Sequence, residues 1–239
     1  MKEYSDLTKA GILFTLRNFL KFIHKNGYTK KAFNKLFPII RSNKSENNIS
    51  YYTIDEIKKM IKLIDTTTKI GKRDYLVILL VAYLAMRAGD IRKLKIGNIF
   101  WDKKTIEYTQ QKTNLPIQLP LLENIKFVLL DYLKNSRPEN NSTYIFIRYR
   151  APHIPYTVEN AFYYIINKYM KLAGIDTSNR RHGFHSMRHS LVSNLLKNNV
   201  KLPVITGVLG HKNWNTTKKY LSIDIEQLRS LALEVPYEK

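Results

Sequence analysis

Apolar residues recur at helical spacing through most of the chain, and the few places where that period fails mark its organisation. Residues 7–26, "LTKAGILFTLRNFLKFIHKN", place Ile12, Leu16, Phe19, Leu20 and Phe22 on one stripe, and Gly27 ends the run. A shorter apolar patch, "KAFNKLFPII", breaks at Pro38, and the polar stretch "RSNKSENNIS" that follows has the composition of a linker. The pattern therefore predicts a small helical domain over 1–45 and a larger one over 52–239. In "TIDEIKKMIKLI" Thr53 and Glu56 have the spacing of a capping box, and Ile54, Ile57, Met60, Ile61 and Ile64 mark the predicted buried face. "RDYLVILLVAYLAM" is apolar on nearly every side, which predicts a helix at the centre of a core. The period then shortens in "NIFWDKKTIEYTQQKTNLPIQLPL", where "DKK" and "KTNLP" separate short runs and predict a small antiparallel sheet of two hairpins. Helical spacing resumes in "LENIKFVLLDYL", "TVENAFYYIINKYMKLA", "HSMRHSLVSNLLKNN", "LPVITGVLG" and "IEQLRSLAL". The expected fold class is α+β, mainly α, with one small sheet.

Charge changes this picture from a fold to a class of partner. With 40 Lys+Arg against 19 Asp+Glu, the formal net charge is +21, and such an excess attracts polyanions, nucleic acid first. No run of about 18 apolar residues and no leader-like apolar stretch at the start appears, so the expectation is no membrane partner and a cytoplasmic location. The chain has no cysteine, which excludes disulfides, zinc–thiolate sites and thiol nucleophiles. Covalent chemistry is left to oxygen and nitrogen.

Several short constellations carry chemistry. In "HSMRHSLVSNLL", His185 and Arg188 lie three apart at a helix start, where free N–H groups and the helix dipole favour a phosphate. They also read as an ordinary solvated pair, and His185 with His189 has metal-ligand spacing without a glutamate beside the first histidine. In "LAMRAGDIRKL", Arg87 is expected to close the most apolar helix, with Asp90 within reach to hold its guanidinium. Lys112 sits on a hairpin in "QQKTNLP"; by itself it reads as a solvated lysine. In "LGHKNWNTTKKYL", His211 precedes Tyr220 by nine positions, and a phenol with a pKa near ~10 needs neighbouring cations or a base to become a nucleophile.

The order and spacing of these residues resemble the tyrosine recombinases, the phage-integrase family. The resemblance spans about residues 52–222 and is densest over "HSMRHSLVSNLLKNNVKLPVITGVLGHKNWNTTKKYLS". It implies a phage-integrase-like catalytic domain of helices plus a small antiparallel sheet. Tyr220 then matches the nucleophile that attacks a scissile DNA phosphate to give a 3′-phosphotyrosyl link, and Arg87 and Arg188 match the arginines on the non-bridging oxygens. Lys112 matches the general acid for the 5′-oxygen. His185 matches the histidine that helps take the phenolic proton, His211 the residue that bonds the phosphate and buttresses the site, and Asp90 the carboxylate that steadies the first arginine. No metal, ATP or other cofactor is implied.

The implied partners are double-stranded DNA, further copies of the chain as a tetramer on paired sites, and accessory DNA-bending proteins, in a bacterial or phage-encoded setting on a mobile element. A catalytically silent DNA-binding relative and a type IB topoisomerase-like activity are the alternatives. Two local departures stand out: Ala85-Met86 replaces the family's usual Gly-Leu, and Asp90 replaces its usual glutamate, from which a small adjustment of geometry is expected. "TLRNFLKFIHKNGYTKKAFNKLFP" resembles only the closing part of the family's helical core-binding domain, so a shortened or reduced recombinase is expected.

Overall fold

A computed structural model describes residues 4, 6–38, 51–156, 162–178 and 180–210. The chain divides into two compact units, Met1–Asn48 and Ile49–Lys239. Within the first, helix α1 runs Asp6–Lys25, and a short 3-10 turn, Phe33–Lys35, lies against it. The stripe predicted for this helix forms, yet Ile12, Phe19 and Phe22 stay 52%, 57% and 58% exposed. One helix and a single turn offer too little surface to cover it.

The second unit opens with α2, Ile54–Lys62, whose capping box forms as read: the Thr53 hydroxyl accepts from the Glu56 amide at 3.2 Å, and Glu56 Oε2 accepts from the Thr53 amide at 2.8 Å. Ile57, Met60 and Ile64 are buried, but Ile54, in the first turn and beyond the reach of the core, is exposed. Helix α3, Lys69–Leu84, is the core's axis; Leu76, Val77, Ile78, Leu79, Leu80 and Val81 are all buried. It packs against α5 (Glu123–Asn135) and α7 (Phe184–Lys197). Burying each such side chain stabilises the fold by about 1.5–3 kcal/mol.

Between α3 and α5 lie the short helix α4, Ala88–Arg92, and a three-stranded antiparallel sheet in the order β1 (Ile99–Phe100), β2 (Thr105–Thr109), β3 (Pro116–Pro120). The two predicted hairpins are therefore present, with Ile106 opposite Leu119 and Tyr108 opposite Ile117. Helix α6, Tyr163–Leu172, closes the core through Ile165, Ile166, Tyr169 and Met170. Helix α8, Leu202–Leu209, joins α7 in a smaller cluster of Ala85, Val192, Leu196, Ile205 and Leu209. The helix read over 225–233 lies outside the described residues. Among the described residues, no helix is long and apolar enough to cross a membrane.

Candidate active site

The first site arginine is not where the apolar run suggests. Helix α3 ends at Leu84, and Ala85 turns left-handed at φ 50°, with its amide donating to Val81 O and that of Met86 to Leu80 O. Such a turn satisfies the last carbonyls of a helix and usually falls on glycine. Arg87 lies beyond it in extended conformation, as the N-cap of α4, so it starts the next helix instead of closing the apolar one. Its side chain is half-buried, and Nη1 is buried without a hydrogen-bond partner.

Asp90 also differs from expectation. It forms no ion pair with Arg87; its Oδ1 accepts from the Gln111 backbone N–H at 3.1 Å, while Oδ2 is buried and unpartnered. The hairpin reaches this carboxylate because Gln111, two residues past β2, presents a backbone donor. Asp90 thus ties α4 to the loop that bears Lys112.

Arg188 is 5% exposed on α7 and reaches two other segments. One guanidinium nitrogen, Nη1, donates to the carbonyl of Ala85; the other, Nη2, donates to that of Leu209 at 2.5 Å. Both carbonyls belong to helix C-termini, which carry partial negative charge and lack intrahelical donors. The start of α7 is itself anchored. Gly183, at φ 98°, precedes it; the Ser186 hydroxyl donates to Arg181 O at 2.5 Å, and Ser190 Oγ accepts from the Tyr52 amide at 2.7 Å. Arg180 in the entry loop pairs with the capping-box Glu56 at 2.7 Å, an arrangement that pulls the Glu56 carboxyl below its ordinary value.

His185 is at the second position of α7, with an exposed edge. Burial of the rest of its ring lowers its pKa, and the charges of Arg188, Lys112 and Arg87 lower it further. The imidazole is held neutral at neutral pH. Three predicted cations are near enough to His185 for their charges to bear on its ring: Arg87 from the α3–α4 junction, Lys112 from the exposed β2–β3 tip, Arg188 from α7. Asp90 belongs to the same group; burial raises its pKa and outweighs the Gln111 N–H and the charges of Arg87, Arg188 and Lys93.

Two members escaped sequence reasoning. Gln110 is fully buried and donates from Nε2 to Leu209 O at 3.1 Å. The Tyr108 phenol is pushed up to about 12 by burial and by Asp90, against Arg188 and Arg87, so it stays protonated. The signal was the strand period, which puts Ile106, Tyr108 and Gln110 on one inward face, where two polar groups need partners. His211 and Tyr220 lie outside the described residues. The chain reaches the site just before them, at Gly210, whose left-handed φ of 58° follows the Leu209 carbonyl held by Arg188.

The phage integrase family model matches residues 51–227. The chain belongs to the phage integrase family. The protein y4rA of Sinorhizobium fredii is 30% identical over 234 residues, covering 98% of this chain and 56% of that one. Tyrosine recombinase XerA of Pyrococcus horikoshii is 24% identical over 245 residues, covering 94% of this chain and 82% of its own. This integrase-family chain spans little more than half of y4rA (56%) and of y4rF (54%), both from Sinorhizobium fredii. Its fold is similar to the crystal structure of XerA recombinase (TM-score 0.63, 22% identity, 98% of this chain and 78% of that one). It is likewise similar to a lambda integrase (75–356) dimer bound to a COC′ core site (TM-score 0.69, 18% identity, 90% and 73%).

Proposed function

We propose that this chain is a site-specific DNA recombinase that cuts and rejoins strands through a phosphotyrosyl intermediate on Tyr220. The observation that carries the reading is the convergence of Arg87, Lys112 and Arg188 on a neutral His185, with a buried Arg87 Nη1 left for an anion. In the cleavage step the phenolic oxygen of Tyr220 attacks phosphorus, its proton passes to His185, and the bond from phosphorus to the 5′-oxygen breaks. Lys112 gives that oxygen a proton, since an alkoxide is too basic to depart unaided. Arg87 and Arg188, with His211, bear the charge that grows on the non-bridging oxygens. Asp90 holds the hairpin to α4 and offsets the positive cluster. One phosphate ester replaces another, so a 5′-hydroxyl from a second strand reverses the step with no outside energy source.

The net charge of +21 suits double-stranded DNA as the substrate, and the solved relatives named as dimers on DNA support association of several copies on paired sites. The first unit, with its basic helix, is read as part of a DNA-clamping domain, and accessory DNA-bending proteins fit the same scheme. The test uses the full chain and a nicked duplex bearing the crossover sequence found in the DNA that flanks its gene. Parent protein is expected to form a covalent adduct that survives denaturation, and Tyr220→Phe none. An adduct from the Phe variant, or none from the parent, overturns the proposal.

A further inference from the structure

We infer that Gln110 is a positioning residue that fixes the Lys112 hairpin to the arginine that grips the phosphate, an inference that rests on the function proposed above. Its four polar groups are all engaged. The backbone N–H donates to Leu115 O and the carbonyl accepts from the Asn114 amide, both at 2.9 Å, which closes the hairpin loop around Lys112. The side-chain Oε1 accepts from the Thr113 hydroxyl at 2.9 Å, and Nε2 donates to Leu209 O at 3.1 Å. That same carbonyl accepts from Arg188 Nη2 at 2.5 Å. One oxygen atom thus joins the loop of the general acid to the guanidinium that holds the substrate.

The junction has no slack. A Cβ placed on Gly210 would lie 2.5 Å from Ile117 Cδ1 and 2.6 Å from Gln110 Nε2, so the end of α8 is seated directly on the hairpin. Lys112 itself is exposed at the loop tip on a flexible four-carbon stem, and among the described residues none pairs with its ammonium. Its aim therefore depends on the loop, which is tied at two points: Gln111 to Asp90 and Gln110 to Leu209. A displacement of about 1 Å in a catalytic group costs on the order of 10²-fold in rate. A fully buried amide whose oxygen and nitrogen are both hydrogen-bonded is a suitable brace against it.

The experiment reads single-turnover cleavage of two duplexes that differ at one atom. In the first, the leaving group is the ordinary 5′-oxygen; in the second, that bridging oxygen is sulfur, a leaving group with a pKa near ~8.5 that needs no acid. Gln110→Met, similar in volume, is expected to cut the oxygen duplex about 10²-fold more slowly and the sulfur duplex within about threefold of the parent. Lys112→Ala is expected to show the same selectivity. Thr113→Val, which removes only the hydroxyl that orients the amide, gives the same pattern at about tenfold and decides the matter should Gln110→Met not fold. Equal losses on both duplexes, or no loss on oxygen, overturn the inference while Lys112→Ala remains rescued by sulfur. A Lys112→Ala defect that sulfur leaves untouched overturns the acid assignment itself, and this inference with it.

Discussion

Near each end of α3 an arginine lies close to a buried aspartate, and the two places solve the problem of burial in opposite ways. At the start of the helix, Arg73 binds Asp74 through two nitrogens at 2.9 and 2.6 Å and donates to the hydroxyls of Tyr156 and Tyr164 at 2.9 and 2.5 Å. Tyr169 and Lys168 complete the other carboxylate oxygen. Every charge there is answered by a side chain of the protein. Past the end of the helix, Arg87 and Asp90 do not pair, each keeps a buried atom without a partner, and Arg188 leans on two backbone carbonyls. The same residue types make a closed network in one place and an open one in the other. Unanswered buried polar groups cost stability, and they concentrate where a ligand supplies the missing partner.

Removing one arginine from each end separates the two roles. Arg73→Met leaves the buried Asp74 without its closest partner, with only Lys168 at 3.8 Å against its charge, and is expected to destabilise the protein by about 3–5 kcal/mol, seen as a large fall in the urea midpoint. Cleavage per folded molecule is unchanged. Arg87→Ala does the reverse: strand cleavage falls about 10²–10³-fold, while the melting temperature moves by no more than a few degrees. Equal effects at both ends would remove the distinction.

Asp90→Asn probes the open end through pH. Burial raises the Asp90 pKa above its ordinary 3.8, so the folded state binds this proton more readily than the unfolded chain. The stability it contributes is present below 3.8 and is lost as pH rises through the folded value. Asparagine keeps an acceptor for the Gln111 N–H and carries no charge. The variant is expected to be at least as stable as the parent at neutral pH, by up to about 1 kcal/mol, with a flatter dependence of the urea midpoint on pH. Ala85→Gly has the smallest effect. Relief of the left-handed turn, worth about 1–2 kcal/mol, is set against the lost buried methyl and the looser unfolded chain, leaving the denaturation midpoint within about 1 kcal/mol of the parent.

What could be read from the sequence was local. The Thr53–Glu56 capping box, the two hairpin tips and the His185–Arg188 pair all depend on residues within a few positions of one another, and each has its expected place. The end of α3 was hidden because Ala85-Met86 continues the apolar run through a turn that glycine would have announced. Asp90's partner was hidden because Gln111 is 21 positions away and contributes a backbone donor, which side-chain chemistry does not reveal. The exposure of the α1 stripe is likewise a matter of what covers a face, and helical spacing says only that a face exists. Gln110 carried a weak signal, a polar residue one position past β2 in the strand's inward phase, that becomes legible once the sheet's register is known.

In the proposed reaction the open end of α3 bears charge on a scissile phosphate. The most direct measurement is single-turnover cleavage by Arg87→Ala on two duplexes, one with the ordinary phosphate and one with a methyl group in place of a non-bridging oxygen, which removes the negative charge. If Arg87 acts on that charge, the variant's defect relative to the parent shrinks by at least about tenfold on the neutral duplex. A defect of the same size on both duplexes would show that Arg87 does not act on that charge.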